Sequence, residues 1–288
     1  MQDKRKACHP EAPGKALRFL YGTFPGRLIL KLLVCPFVSK IAGAFLSSPL
    51  STGMIGPFVK KHRICMARYE QVRYRSYNDF FTRKLKADRF SFDAAQNSLI
   101  SPCDAKLSVY NITENMEFWI KGVPYSLADL LQNRKLAEIY KEGLCLIFRL
   151  TVDDYHRYCY IDDGTKGKNI FIPGKLHTVQ PIAFERNNVY RENCREYTVM
   201  QTEHFGRAVQ VEVGALLVGK IVNFQGKGAF LRGQEKGMFR FGGSTVVLLL
   251  EKDRAELDRE FFENTEKGLE TAVRIGERIG RVKFPKKN

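Results

Sequence analysis

The stretch Ser244-Thr-Val-Val-Leu-Leu-Leu250 reads as an apolar strand, and the chain enters it from its most glycine-rich segment. Residues 226–243 hold six of the 23 glycines, with Lys227, Arg232, Lys236 and Arg240 set among them. Glycine tolerates positive φ and close backbone approach, so this segment is expected to be a flexible or strained loop. It is not a nucleotide loop, because neither G-x-x-x-x-G-K-[ST] nor G-x-G-x-x-G occurs in it. The G-x-S-x-G elbow of an esterase is missing too. Further out, short strand-like runs separated by turn residues fall at 108–112, 117–121, 144–152, 157–161, 168–172, 196–203, 208–213 and 216–224. Helices are expected at 126–133, where Ser126 and Asp129 have capping-box spacing, and at 254–264. No internal repeat or low-complexity tract interrupts this pattern. The expected fold is therefore α+β, with a predominantly antiparallel β body over 91–288 behind a helical N-terminal region over 1–90.

The charge divides along the same line. The 288 residues carry 47 Lys and Arg against 31 Asp and Glu, a net +16. Residues 1–90 hold 18 of the cations and five of the acids, so +13 belongs to the first third and +3 to the rest. An evenly spread nucleic-acid-binding character is excluded on that count. From Leu17 to Leu50 the chain is also at its most apolar, yet Arg27, Lys31, Pro36 and Lys40 interrupt it. A spanning helix needs about 20 predominantly apolar residues, so a transmembrane segment is not expected. In Arg27-Leu-Ile-Leu-Lys31-Leu-Leu-Val-Cys-Pro36 cations recur four residues apart among aliphatic residues, the pattern of a helix lying in a headgroup layer. The alternative is a helical hairpin packed on the core with its lysines snorkelling. Ser76 and Asp79 mark the start of a short helix ahead of the cluster Arg83-Lys-Leu-Lys86.

Seven cysteines, at 8, 35, 65, 103, 145, 159 and 194, show no C-x-x-C and no metal-ligand spacing. Several sit in apolar runs, which suits buried thiols in a reducing compartment. No apolar h-region followed by a small-residue cleavage site stands near the N-terminus. No bound metal is expected.

FGGSTVVLLLE, preceded by GALLVGKI at 214–221 and RGQEKGMF at 232–239, resembles the self-cleavage region of the phosphatidylserine decarboxylases. NDFFTRKLK (78–86), SPCDAKL (101–107), IKGVPYSLADLL (120–131), DYHRY (154–158) and IPGKLHTV (172–179) resemble further landmarks of that family, in the family's order. The resemblance implies a proenzyme that cuts itself between Gly243 and Ser244, giving chains 1–243 and 244–288. It implies that Ser244 becomes a pyruvoyl group, the only cofactor, which forms a Schiff base with the amine of phosphatidylserine. Loss of carbon dioxide then yields phosphatidylethanolamine. It places the orienting acid at Asp104 and the base at His156. Many members carry a second His three residues after the first, and here that position is Cys159. His156 would then serve both steps, with His177 as a substitute candidate.

Each of these residues also has an ordinary reading. Asp104 suits a turn after Pro102, Ser244 a strand start, and His177 a satisfied structural position. The expected partners are phosphatidylserine, an anionic membrane surface and the enzyme's own two chains, with no nucleic acid, and a homodimer is compatible. The expected place is the cytoplasmic face of the cell membrane, peripherally bound. Two other functions compete: a pyruvoyl-dependent decarboxylase of a soluble amino-acid substrate, and a non-enzymatic basic lipid-binding module.

Overall fold

A computed structural model describes residues 5–120, 123–184, 189–215, 220–240, 242 and 244–284. Its centre is a ten-stranded antiparallel sheet. Ser244–Leu250 lies in the middle of that sheet, paired with Leu144–Leu150 on one side and Arg207–Val213 on the other. All seven residues of this strand are buried. A strand's side chains alternate between faces, and here both faces are covered. Val246, Leu248 and Leu250 join one apolar core with Phe148 and Leu146, while Val247 and Leu249 join a second core with Val209 and Val211. Such a strand has no polar face, which is why it reads as a continuous apolar run. The fold is α+β, as the spacing of strand and helix signals predicts.

Two expectations are corrected. The glycine-rich segment is not one loop, since it contains the strands Gly228–Phe230 and Glu235–Arg240. Glycine serves contact there: a Cβ at Gly237 would lie 2.1 Å from the Val222 carbonyl oxygen and 2.7 Å from the Tyr158 hydroxyl. The strand Glu235–Arg240 can therefore lie between Lys220–Asn223 and Arg157–Cys159 in a small second sheet. The helix expected at 254–264 starts late. Ala255–Leu257 pairs instead with the strand Arg278–Val282, and the helix runs Arg259–Glu266. Of the strand expected at 216–224, residues 216–219 lie outside the described residues and Lys220–Asn223 is a strand.

The N-terminal region is helical: Lys15–Gly22, Phe24–Leu33, Pro36–Leu46, Ile55–His62 and Tyr77–Phe81. Local chemistry sets these boundaries. The Thr23 side chain accepts the Gly26 N–H at 3.1 Å with a proline in the first turn behind it, and Ser76 accepts the Asp79 N–H at 3.1 Å. Ten of the eighteen exposed large apolar side chains among the described residues fall within 19–54, including Phe24, Leu32 and Phe37 at 67–68%. From this stretch Tyr21, Leu30 and Val34 enter the main core and Leu20 packs against it, while most of its other large apolar side chains face outward. No helix among the described residues is long and apolar enough to cross a membrane. The Tyr77–Phe81 helix joins this layer to the body. Tyr77, Phe80 and Phe81 pack with Leu46 and Phe58, Asn78 Nδ2 donates to Ser47 Oγ at 2.8 Å, and the Tyr77 N–H donates to Ser51 Oγ at 2.8 Å.

Candidate active site

Ser244 opens the central strand opposite Leu150, and its hydroxyl is buried with no hydrogen-bond partner among the described residues. Gly242, two residues earlier, has φ +120°, a conformation that side-chain-bearing residues avoid. Gly243, the other half of the expected scissile bond, lies outside the described residues.

Beyond Leu150 the chain makes a turn held by its own hydroxyl and carboxylate. The Thr151 N–H and Oγ1 both donate to Asp154 Oδ2, at 2.7 and 2.8 Å. Lys106 Nζ reaches both Asp154 carboxylate oxygens at 2.8 Å and Thr151 Oγ1 at 2.9 Å. Lys106 comes from the SPCDAKL motif and Asp154 from DYHRY, so this ion pair joins two landmarks far apart in sequence.

The turn presents His156, which is fully buried. Its Nδ1 lies 2.9 Å from the Asp154 carbonyl oxygen. A carbonyl can only accept, so Nδ1 carries the hydrogen and Nε2 keeps its lone pair. Nε2 is buried and has no hydrogen-bond partner among the described residues. Burial, and after it the charge of Arg83, pulls the imidazole down from its ordinary 6.5 to about 3. The ring is a neutral base at any physiological pH. Phe81 packs against it with ring centroids 4.0 Å apart, and the Phe239 N–H donates to the His156 carbonyl at 2.9 Å. That last bond ties His156 to the strand that leads toward Ser244. An orphaned hydroxyl donor and an orphaned imidazole acceptor thus stand at the same end of the central strands, a pairing of groups suited to nucleophile activation.

Asp104 is placed differently from the simple triad expectation. Its Oδ1 accepts the Ile275 N–H at 2.8 Å, and its Oδ2 lies 4.0 Å from Arg68. Burial raises its pKa, opposed mainly by that N–H. Among the described residues it makes no hydrogen bond to His156. Its loop lies instead against Cys159, whose N–H donates to the Pro102 carbonyl at 2.9 Å and whose thiol meets the Ser101 carbonyl at 3.9 Å. Burial drives the Cys159 thiol upward, so it is no thiolate. His177 stands apart from both. Its N–H donates to Asn193 Oδ1 at 3.0 Å, its Nδ1 meets the Tyr21 hydroxyl at 3.3 Å, and the Thr178 N–H donates to that same hydroxyl at 3.1 Å. His177 therefore fastens the Lys15–Gly22 helix to the body.

Composition and spacing give no hint of the bonds from Lys106 to Thr151 and Asp154, 45 and 48 residues away, or from Arg83 to the carbonyls of Asp153 and Asp154, 70 and 71 residues away. Nor did they reveal the fully buried pair of Lys236 and Glu212 at 2.8 Å. The available signal for that pair is a single one, the charged Glu212 between Val211 and Val213 in its strand. Glu212 lies opposite Val246, two residues along from Ser244 on the same face of the sheet.

The profile of the phosphatidylserine decarboxylase family matches residues 77–281, which includes Asp104, His156, Cys159, His177 and Ser244. The chain is 48% identical over 267 residues to phosphatidylserine decarboxylase proenzyme 2 of Clostridium acetobutylicum, covering 92% of this chain and 91% of that one. It is 39% identical over 270 residues to the phosphatidylserine decarboxylase proenzyme of Clostridium novyi, covering 92% of each. The proenzyme of Ruminiclostridium cellulolyticum is likewise 39% identical, over 277 residues, covering 93% of this chain and 92% of that one. The profile match and the relatives, which cover 92–93% of the chain, agree, and the chain belongs to the phosphatidylserine decarboxylase family of enzymes.

Proposed function

We propose that the chain is a proenzyme that cuts itself between Gly243 and Ser244 and then decarboxylates phosphatidylserine at a membrane surface. The observation that carries this reading is the buried Ser244 hydroxyl at the same strand end as the neutral Nε2 of His156, neither with a hydrogen-bond partner among the described residues. In the self-cleavage step Nε2 takes the hydroxyl proton while Oγ attacks the carbonyl of residue 243. The peptide C–N bond breaks, His156 returns the proton to the departing nitrogen, and an ester remains. Loss of the α-proton and rupture of the Cβ–O bond leave a carboxylate on residue 243 and a dehydroalanine at 244. Hydrolysis of the dehydroalanine releases ammonia and gives the pyruvoyl cap. An imidazole whose charged form is strongly disfavoured is a weak proton holder and so a ready donor to the leaving amine.

The buried start of the Ser244 strand fits such a group, since it is enclosed by protein, with Ser244 paired to Leu150 on one side and the next residue, Thr245, paired to Val213 on the other. When formed, the pyruvoyl group supplies an electrophilic carbonyl for the substrate amine and a sink for the electrons released as carbon dioxide leaves. The chain's own part is proton handling. The substrate ammonium must lose a proton to react, and the neutral Nε2 of His156 can relay a proton to the α-carbon without retaining it. Asp104 has a positioning role in this reading: it ties the 101–104 loop to Ile275 of the smaller piece. The pieces stay together after cutting, because Ser244–Leu250 remains between two strands of the larger piece.

Residues 1–90 serve as the membrane-associating region, peripheral on the cytoplasmic face, with 91–288 as the catalytic part. The exposed Phe24, Leu32 and Phe37 among the cations of the first third support this division. Ser244→Ala tests the reading directly: the variant should run as one chain of 33.1 kDa and release no carbon dioxide from phosphatidylserine. Decarboxylation by that variant would overturn it.

A further inference from the structure

Arg83 takes and gives no proton in the chemistry above, and it is one of the largest fully buried side chains, 2% exposed. Its Nη2 donates to the carbonyls of Asp153 and Asp154 at 3.2 and 3.3 Å and meets the Tyr69 hydroxyl at 3.5 Å. Its Nε and Nη1 are buried with no hydrogen-bond partner, and no carboxylate reaches it among the described residues. The rest of its surroundings are rings, with the guanidinium carbon 4.5 Å from the centroid of Tyr69 and 5.0 Å from that of Phe80.

The fold treats its other buried cations differently. Lys236 is paired with Glu212 at 2.8 Å, and Arg149 with Glu270 through two bonds of 2.8 and 2.5 Å. Arg195 spreads its donors over four backbone carbonyls. Ring faces and two carbonyls offset only part of the cost of burying Arg83, and two of its donors stay unused. The place of this incomplete shell is informative. The Asp154 carbonyl that Arg83 Nη2 uses is the same one that holds His156 Nδ1, so guanidinium and imidazole share an anchor. Phe80, beside Arg83, and Phe81, beside His156, are consecutive residues of one helix. They belong to the aromatic cluster that also holds Leu46 and Phe58, beneath the exposed Phe45, Leu50 and Met54.

We propose that Arg83 anchors the phosphodiester of the lipid substrate beside His156. This rests on the phosphatidylserine reading above and adds a residue that recognises the headgroup. The substrate carries two anionic groups, and the chemistry selects between them. The carboxylate gives up its charge as carbon dioxide leaves, so a cation held on it would favour the ground state over the transition state and slow the reaction. The phosphodiester keeps its charge throughout, and its oxygens match the guanidinium fork. Both unused nitrogens are buried, so the headgroup reaches them only when the packing around Arg83 opens.

The test uses the processed full-length enzyme, wild type, Arg83→Gln and Arg83→Lys. Calorimetry measures binding of sn-glycero-3-phosphoethanolamine, a headgroup without acyl chains, with free ethanolamine as the control that lacks a phosphodiester. Steady-state decarboxylation of dioctanoyl phosphatidylserine gives KM and kcat. Losing a charged hydrogen-bond partner should weaken glycerophosphoethanolamine binding about ten- to hundred-fold in Arg83→Gln and raise KM by the same factor, with kcat falling by less. Arg83→Lys, which keeps the charge and loses the fork, should fall between, and it carries the test if the glutamine variant fails to fold. Wild-type binding and KM in either folded variant would overturn the anchor, as would a loss confined to kcat. A wild-type enzyme that releases no carbon dioxide from the lipid would instead overturn the phosphatidylserine reading.

Discussion

Replacing Lys236 by methionine should be among the most damaging single changes in the protein, and the structure allows its size to be worked out. Lys236 and Glu212 are both fully buried, with Nζ 2.8 Å from Glu212 Oε1 and 2.7 Å from Asn223 Oδ1. Methionine keeps the length of the stem and removes the charge. Glu212 then keeps only neutral donors, Gln210 Nε2 at 3.0 Å and Asn223 Nδ2 at 3.2 Å. Breaking a buried pair this way costs about 3–5 kcal/mol. At about 2–4 °C per kcal/mol for a chain somewhat smaller than this one, Tm should fall by roughly 6–20 °C.

The double variant Lys236→Met/Glu212→Leu should recover most of that. An apolar pair of similar volume is neutral to about 4 kcal/mol better than a buried ion pair. Against this, Gln210 Nε2 loses its acceptor, at about 1–3 kcal/mol. Asn223 keeps Glu196 at 2.8 Å and the Tyr158 hydroxyl at 3.4 Å. Net stability should therefore stay within about 3 kcal/mol of the starting protein. The assay is thermal unfolding by circular dichroism in a Ser244→Ala background, where every molecule should be uncut. Burial already raises the Glu212 carboxyl, and Lys236 is the main group opposing it. Without Lys236 the folded state would take up a proton there more readily than the unfolded chain, so the deficit should be larger at pH 8 than at pH 5. A single variant that unfolds within about 3 °C of its parent at both pH values would refute the reasoning, since Glu212 would then have another source of compensation.

Three further outcomes are expected. His156 is held neutral to about 3 in the folded state, while its unfolded value is near 6.5. Its contribution is therefore complete above 6.5 and drains away as pH falls toward 3, so the Tm of Ser244→Ala should drop faster than that of Ser244→Ala/His156→Gln between pH 6.5 and 4. Equal slopes would contradict the buried neutral ring. Cys159→Ser should self-cleave within about threefold of wild type because the buried thiol is not ionised, whereas His156→Gln should stay uncut; the reverse pattern on a denaturing gel would move the base to position 159. Leu32→Glu/Phe37→Glu should leave anionic liposomes in a flotation assay while retaining its Tm, and undiminished flotation would argue for a soluble substrate.

What could be read in the sequence depended on whether neighbouring residues along the chain share the cause. The Val246–Leu250 run announced its strand because both of its faces are buried. The caps at Ser76 and Ser126 announced their helices because the hydrogen bond spans three residues. Gly237 misled for the opposite reason. Its missing side chain accommodates Val222 and Tyr158, which only the fold brings near, so a strand looked like a loop. The helix expected from 254 starts at Arg259 because Ala255–Leu257 finds a partner strand more than 20 residues later. In the site, Ser244, Asp104 and His156 were reached through motif resemblance. The groups that set the state of His156 were not, because Arg83 and Lys106 meet it only through the turn at 151–154.

Whether the protein makes its own catalytic group is decided by intact mass spectrometry of the purified wild-type protein. The account predicts two species: residues 1–243, and residues 244–288 lighter by one ammonia than a chain beginning with serine. A single uncut chain that still decarboxylates phosphatidylserine, or a smaller chain that begins with unmodified Ser244 in active enzyme, would contradict it.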